Sequence, residues 1–199
     1  MVSLKKLRKQ KPVPHFRPLA KELDWKISWQ RCKPYVTNYH TGLDIGARIG
    51  EFAYYMNDFK QVYSFEFRQG KKNRYYSRCT DVDKYHFVRV GISDHNGYEY
   101  TTTQMVGKIK NRGKLKVKVK TIDSLNYTNV GFIKLDVEGH EYRCIKGAEQ
   151  TIKKYEPVII VEQNKGDFSA SNLLIEWGYK IVDKVRIGGK IHDYILVKE

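Results

Sequence analysis

The sequence predicts an α/β protein of the Rossmann-like type, with a seven-stranded, mostly parallel sheet that ends in an antiparallel hairpin. Three observations lead to this fold class. Short apolar runs alternate with helical patterns along most of the 199 residues, which is typical of βαβ units. The first apolar run enters a glycine-rich turn within residues 42–50. The last two runs flank residues 187–190, whose two glycines indicate a hairpin.

The elements follow in chain order. Residues 1–40 are predicted to form a basic arm, interrupted by Pro12, Pro14 and Pro18, and a short helix over 21–32. A single domain is expected over 41–199, with an inserted hairpin near 98–120. We predict strands at 42–46, 61–66, 86–91, 131–136, 157–162, 179–185 and 191–198. We predict helices at 50–58, 69–78, 140–154 and 168–177.

Two acidic residues associated with the first two strands indicate a nucleoside-bearing cofactor. Asp44 precedes the turn that runs from Gly46 to Gly50, and Glu66 ends the second strand at a spacing typical of an acid that binds a ribose diol. The turn lacks the G-x-G-x-x-G pattern that brings backbone close to a pyrophosphate, which disfavours NAD and FAD. Its G-x-x-x-G pattern suits S-adenosylmethionine, whose carboxylate can lie at helix N-terminal amides. Asp44 would then accept a hydrogen bond from the ammonium group.

Five motifs together resemble the FkbM family of S-adenosylmethionine-dependent methyltransferases. They are LDIGARIGE at 43–51, FEF at 65–67, VGISD at 90–94, VKTIDSL at 119–125 and FIKLDVEGHE at 132–141. The last motif is the most specific, and the resemblance covers about residues 41–165. Arg48 departs from the family, which usually has a small polar residue there. The resemblance implies the class I methyltransferase sheet and a cofactor site made of Asp44, Gly46, Ala47, Gly50, Glu66, Phe67, Ser93 and Asp94.

Candidate catalytic residues follow the fourth main strand. Methyl transfer is an in-line displacement, so an enzyme aligns a nucleophile and often removes its proton. Asp136 stands at the carboxyl end of the strand, where ligands bind in open α/β sheets, and Glu138 and His140 follow within one turn. We predict that Asp136 and Glu138 position the acceptor and that His140 is the base. Glu141 is interpreted as a helix cap.

A divalent metal is the minor alternative in this site. Glu162 ends the fifth strand, next to the fourth in the expected sheet, and Asn164 follows it. Asp136 with Glu162 would offer the oxygen ligands that Mg²⁺ prefers. The spacing differs from that of metal-dependent O-methyltransferases, so the main prediction is a site without metal.

Composition limits the class of protein. No apolar run reaches the ~18 residues of a membrane helix, and the basic N-terminus lacks the apolar segment of a secretory signal. Cys32, Cys79 and Cys144 are odd in number and widely spaced, which predicts neither disulfides nor a zinc site. A reducing, cytoplasmic location is therefore expected.

The net charge of +15 is concentrated in two segments. Residues 1–40 hold ten basic and two acidic residues, and residues 105–120 hold seven basic residues and no acid. In the second segment, Lys116, Lys118 and Lys120 alternate with apolar residues, so a strand would expose the lysines on one side. Because the rest of the chain is neutral, we expect an anionic partner.

The acceptor class stays open. The resemblance implies O-methylation of a hydroxyl on a sugar, glycan or other small molecule, which the basic segments suggest is anionic. The alternative is a nucleic-acid methyltransferase, favoured by the basic segments and by 15 tyrosines. A cofactor-binding protein without activity is a third reading, which the intact motif from Asp136 to Glu141 makes weak. The oligomeric state has no sequence signal.

Overall fold

The computed structural model describes residues 20–101, 115–164, 166–188 and 191–199. The strands are Thr41–Ile45 (β1), Gln61–Phe65 (β2), Tyr85–Val88 (β3), Gly91–Ile92 (β4), Gly97–Thr101 (β5), Leu115–Lys120 (β6), Val130–Leu135 (β7), Val158–Asn164 (β8), Tyr179–Gly188 (β9) and Ile191–Lys198 (β10). The α-helices are Ala20–Cys32 (α1), Lys72–Arg78 (α2), Glu141–Lys146 (α3), Glu149–Tyr155 (α4) and Ser169–Glu176 (α5). Three 3₁₀ turns lie at Lys33–Tyr35, Ala53–Tyr55 and Asp123–Leu125.

Seven of the strands form one sheet in the order β3-β2-β1-β7-β8-β10-β9. In this order the first five strands, β3, β2, β1, β7 and β8, pair in parallel with their neighbours, whereas β10 is antiparallel to both β8 and β9. This order confirms the predicted fold class, including the antiparallel terminal hairpin. The strand order reverses between β1 and β7, and in open α/β sheets this reversal opens a crevice for ligands.

The two central strands are buried along their whole length, as expected for parallel strands that are covered on both faces. Leu43, Ile133 and Leu135 belong to the hydrophobic core on one face. On the other face Trp29 of α1 packs edge-on against Phe132, with ring centroids 5.3 Å apart. Because side chains alternate along a strand, Asp44 and Lys134 point to the face that α1 covers.

Two predicted helices differ from the structure. The segment at 50–58 forms turns and one 3₁₀ turn instead of an α-helix, and its tyrosines, Asn57 and Asp58 have weak helix propensity. The helix predicted at 140–154 is divided into α3 and α4. The division lies at Gly147 and Ala148, and a Cβ atom on Gly147 would lie 2.0 Å from the carbonyl oxygen of Ser93. This close approach of two backbones requires glycine at the break.

The inserted hairpin predicted near 98–120 is part of a second, three-stranded sheet. β5 and β6 pair antiparallel, and β4 adds a short parallel pair with β6. The strand predicted at 86–91 is therefore divided between the two sheets as β3 and β4. Residues 102–114, with Gly107 and Gly113, lie outside the described residues, as do the arm at 1–19 and residues 165, 189 and 190.

Candidate functional site

The carboxyl ends of β1 and β7 meet at Gly46. Its φ is +90°, and a Cβ atom built there would lie 1.9 Å from the carbonyl oxygen of Asp136. The amide of Gly46 donates to the carbonyl of Phe65 at the end of β2, and the amide of Asp136 donates to Ile45, both at 3.0 Å. Only glycine fits this junction, because any side chain would push β7 away from β1.

Two adjoining cavities open around this junction. The central cavity, of about 200 Å³, is lined by Trp25 and Phe52 and by charged groups that include Asp44 and Lys134. The side cavity, of about 50 Å³, lies at the ends of β2 and β4 and is lined mainly by apolar side chains around Glu66. Both cavities share four residues, which are Gly46, Arg68, Asp136 and Glu138.

Asp44 is buried in the wall of the central cavity, and its Oδ2 atom has no hydrogen-bond partner among the described residues. Burial raises the pKa of this carboxyl to about 7, and the negative charges of Asp136 and Glu51 add to the effect. The positive charge of Lys134 and a hydrogen bond from the amide of Ala53 oppose it. A buried acceptor without a donor is a place for a polar ligand group, because leaving it unsatisfied is costly.

The pKa of Asp44 predicts how cofactor binding depends on pH. An ammonium group on the ligand requires the ionised carboxylate, so the affinity should rise up to about tenfold per pH unit between pH 5 and 7 and level off near pH 8. Without ligand the dependence has the opposite sign. Unfolded Asp loses its proton near pH 3.9, so from there to about pH 7 only the folded state retains it, and stability falls as pH rises.

Asp44→Asn tests both effects. The variant should lose the pH dependence of affinity, bind more weakly at pH 8, and become the more stable of the two apoproteins there. Titration calorimetry and urea unfolding at pH 5.5 and 8 measure these quantities. The same pH dependence of affinity in the variant and the parent would show that another group titrates.

Lys134 lies beneath Asp44, in register with it across β1 and β7, and is 1% exposed. Its Nζ atom is 3.5 Å from Asp193 Oδ1 and 4.0 Å from Asp136 Oδ2. Burial alone would lower the pKa of Lys134, but the carboxylates of Asp193, Asp136 and Glu162 outweigh it, and the pKa is raised. The ammonium group is therefore a fixed positive charge below the floor of the crevice.

Glu66 lies in the side cavity with its carboxylate held by Arg68. Arg68 donates from its backbone amide at 2.8 Å, from Nε at 3.0 Å and from Nη2 at 2.6 Å. Glu66 is buried and Arg68 is half-buried. This bidentate pair holds the predicted ribose acceptor at the boundary between the two cavities.

The loop after β7 has a constrained backbone. Glu138 has a φ of +57°, which is uncommon for a residue with a side chain and is concentrated at functional sites. Glu141 Oε1 accepts hydrogen bonds from the amides of Val137 and Gly139, both at 3.1 Å. Glu141 was predicted to cap the helix, but His140 is the N-cap residue of α3, and Glu141 instead holds the preceding loop, which presents Glu138 to both cavities.

His140, Ser93 and Asp94 belong to a network beside the side cavity. His140 Nε2 is 3.2 Å from the hydroxyl of Ser93 and 3.8 Å from Glu99 Oε1. Arg143 Nη2 donates to Asp94 at 2.7 Å, and Arg143 Nη1 donates to Glu99 at 3.0 Å. Burial lowers the pKa of His140. His140 lines the side cavity, whereas Ser93 and Asp94 line neither cavity, and their role as cofactor contacts stays a prediction.

Some of the other predicted cofactor residues line one of the two cavities, and one does not. Ala47 lines the central cavity and Phe67 lines the side cavity. Gly50 lines neither; a Cβ atom on it would lie 2.7 Å from the ring of Tyr75, so this glycine is required for packing. Sequence reasoning missed Lys134 and Trp25. The signal for Lys134 was the presence of a lysine inside an apolar strand. The sequence has no signal that places Trp25 at the cavity.

The residues present do not fit the minor magnesium hypothesis. Asp136 and Glu162 both act on the ammonium of Lys134, whose fixed charge would repel a dication placed between them. Asp136 lines the two cavities at Gly46, whereas Glu162 lines a different cavity on the far side of Glu138. We therefore derive no step through a metal.

A second set of possible metal ligands lies in the inserted sheet. Donor atoms of Asp94, His95 and Glu99 lie within 4.8 Å of one another. The guanidinium of Arg143 already contacts both carboxylates. A cation occupies the position that a metal would need, so this cluster is interpreted as an ion-pair network.

Comparisons with known proteins agree with the fold and motifs. The family model described as the methyltransferase FkbM domain matches residues 44–181. The crystal structure of methyltransferase FkbM from Methylobacillus flagellatus KT superposes with a TM-score of 0.61 at 15% identity, over 96% of this chain and 57% of that chain. This chain thus spans little more than half of that protein. A search of curated proteins found no match.

Two further solved structures share the fold at low identity. An rRNA methylase from Streptococcus thermophilus has a TM-score of 0.54 at 10% identity, over 86% of this chain and 94% of that chain. Magnesium protoporphyrin IX methyltransferase from Synechocystis PCC 6803, solved with bound S-adenosylmethionine, has a TM-score of 0.52 at 9% identity, over 98% and 89%. Among the described helices, none has the length and apolar character needed to cross a membrane.

Proposed function

The chain belongs to the FkbM family of methyltransferases, and from this premise we propose that it transfers a methyl group from S-adenosylmethionine to a hydroxyl of an anionic acceptor. The acceptor is a sugar, a glycan or another small molecule. The observation that carries the proposal is the buried Asp44 Oδ2 atom, which has no partner among the described residues and lies beside a junction that only a glycine, Gly46, can occupy.

The described residues fit this cofactor. Asp44 and Arg48 line the central cavity, where they offer an acceptor for an ammonium and a donor for a carboxylate. Glu66 and the apolar side cavity offer an acceptor for a ribose diol and a slot for a flat base. When bound, the cofactor supplies an electrophilic methyl group on a positively charged sulfur. The two cavities meet at Gly46, Asp136 and Glu138, so the methyl group belongs beside these carboxylates.

Asp136 is placed to position the acceptor hydroxyl and to accept its hydrogen bond. Its side chain is half-buried, and its Oδ2 atom is 4.0 Å from Lys134 Nζ. Glu138 is exposed at the rim of the two cavities. The loop after β7 holds its backbone at a positive φ. The imidazole of His140 contacts Ser93 and Glu99, so its role as the base stays a prediction. We propose that Asp136 lies closer than His140 to the methyl group that is transferred.

A pair of variants separates these roles. Asp136→Asn should lower kcat by about 10²–10⁴-fold, the usual contribution of a positioned base, with little change in cofactor affinity. His140→Gln should leave the pH–rate profile unchanged if the residue only supports the loop. Methyl transfer from labelled cofactor to a panel of sugar, polyketide-like and RNA acceptors measures both. If His140→Gln removes the acidic limb of the profile while Asp136→Asn retains activity, the two roles are reversed.

The anionic character of the acceptor rests on the charges near the crevice. Lys116 and Lys118 are exposed on β6 as the period of two predicted, and Val117 and Val119 are buried. Lys116 and Lys118 line a groove that shares Phe67, Arg68 and Val90 with the side cavity. An acceptor carrying negative charge would be stabilised along this path.

A nucleic-acid acceptor is the second candidate. Two tyrosines, Tyr98 and Tyr100, stand on the same exposed face as the lysines, with exposed fractions of 57% and 42%. Nucleic-acid bases stack on exposed aromatic rings, so the two tyrosines offer a contact with bases that charge alone does not provide.

A further inference from the structure

We propose that the outer face of the inserted sheet is a docking platform for single-stranded nucleic acid. This tyrosine–lysine face consists of Tyr98 and Tyr100 on β5 and of Lys116 and Lys118 on β6. The platform itself is independent of the methyl-transfer reaction. Only the inference that a bound strand is also the acceptor rests on the proposed methyl transfer, with the nucleic-acid acceptor given above as the second candidate.

The strand register builds the face. Tyr98 pairs with Lys118 and Tyr100 pairs with Lys116 across the antiparallel strands. Alternate residues Glu99 and Thr101 on β5 point inward and are buried. Because side chains on one face of a sheet lie side by side, two aromatic rings and two ammonium groups form one continuous exposed surface.

A lysine orients one of the two aromatic rings. Lys116 Nζ lies 4.2 Å from the centroid of the Tyr98 ring, a cation–π contact that orients the ring. Tyr98 and Tyr100 remain 57% and 42% exposed, which leaves ring surface for a flat partner. Bases stack on such aromatic side chains in single-strand-binding proteins irrespective of sequence, while a positively charged groove follows the phosphates.

A basic groove of about 300 Å³ borders the face. Arg68, Arg89, Lys116 and Lys118 line it together with Tyr98, and no acidic residue is found among its described lining residues. Arg89 is exposed. Arg68 is paired with Glu66, so Arg89, Lys116 and Lys118 are the cations of the lining that complement a polyanion. The adjacent rings add surfaces on which bases can stack.

The groove also points towards the candidate active site. Phe67, Arg68 and Val90 line both the groove and the side cavity, and the side cavity reaches Asp136. A strand seated on the platform would therefore pass beside the crevice at Gly46. Because the groove continues into the candidate active site, we interpret it as the path of a bound polynucleotide and not as an isolated patch of surface charge.

Fluorescence anisotropy of the full chain with a labelled 12-residue oligouridylate tests the proposal. The parent should bind with an affinity that falls steeply with salt. Tyr98→Leu/Tyr100→Leu should weaken binding at least tenfold without changing the salt slope. Tyr98→Phe/Tyr100→Phe should retain binding because the rings remain. Lys116→Gln/Lys118→Gln should reduce the slope of log K against log salt by about 1.4, from two lost phosphate contacts.

Matched controls separate stacking from charge. Tyr54 is 54% exposed outside the face, and Tyr54→Leu should have no effect. Lys153→Gln/Lys154→Gln on α4 removes the same charge as the lysine variant and should leave binding within twofold. Heparin should bind the parent and the leucine variant equally, since it carries charge without bases.

Two outcomes would overturn the platform. The first is an absence of oligouridylate binding at low salt. The second is binding that the leucine variant retains in full, which would reduce the face to a general polyanion surface. Titration with S-adenosylmethionine is run in parallel, because normal cofactor binding with no oligonucleotide binding would reject the platform and leave the methyltransferase assignment intact.

Discussion

Lys134→Met is expected to lower the free energy of unfolding by about 3–5 kcal/mol, the usual loss when one partner is removed from a buried ion pair. The reason is Asp193, which is fully buried and 3.5 Å from the lysine ammonium. Burial already raises the pKa of Asp193 against the charge of Lys134. Without that charge its pKa rises further, so the variant should be more stable near pH 5 than near pH 8.

The double variant Lys134→Met/Asp193→Leu provides the test of this cause. Replacing both charges with apolar groups removes the unpaired carboxylate and should recover most of the lost stability. Lys153→Met serves as the surface control, because its pair with Glu149 is exposed and should contribute under about 1 kcal/mol. Urea unfolding at both pH values measures all variants. A loss below about 1 kcal/mol in the single variant, or no recovery in the double variant, would contradict the account.

Gly46→Ala is expected to abolish measurable cofactor binding and to cost about 4–5 kcal/mol of stability, in the exceptional range for one substitution. The new methyl group would lie 1.9 Å from the carbonyl oxygen of Asp136, so β1 and β7 must separate where the cavities meet. The backbone oxygen cannot rotate away as a flexible side chain would.

Gly70→Ala is the matched control for this substitution. Gly70 also has a positive φ, of +72°, but a Cβ atom on it would meet nothing within 4 Å. Only the left-handed strain of about 1–2 kcal/mol is expected, with normal cofactor affinity. Thermal unfolding and calorimetry compare the two variants. Equal effects would show that strain, rather than the contact with β7, makes Gly46 necessary.

Much of the fold could be predicted because local signals agreed with the tertiary structure. The apolar runs that became β1, β2 and β7 are buried strands with charged or glycine residues at their ends, so their position at the crevice follows from the parallel topology. The alternation in β6 also predicted the exposure of Lys116 and Lys118, whereas Lys120, at the end of the strand, is half-buried.

The remaining features depend on contacts between distant segments. The partner of Lys134 is Asp193, which comes from β10, and no local pattern connects them. The helix is divided at Gly147, whose backbone packs against the carbonyl of the distant Ser93. Trp25 reaches the central cavity only because α1 packs across the sheet. Ser93 and Asp94 follow a short strand, and their hydrogen bonds to Glu99 and Arg143, which come from β5 and α3, have no local signal in the sequence.

The central claim is that S-adenosylmethionine binds in the crevice between β1 and β7. The most direct test is titration calorimetry at pH 8 with S-adenosylmethionine, S-adenosylhomocysteine and NAD, on the parent and on Glu66→Ala. We expect micromolar binding of the first two ligands, no measurable binding of NAD, and a loss of about 1.5–3 kcal/mol in Glu66→Ala, as for a charge-assisted hydrogen bond. Binding of NAD, or unchanged affinity in Glu66→Ala, would contradict this account.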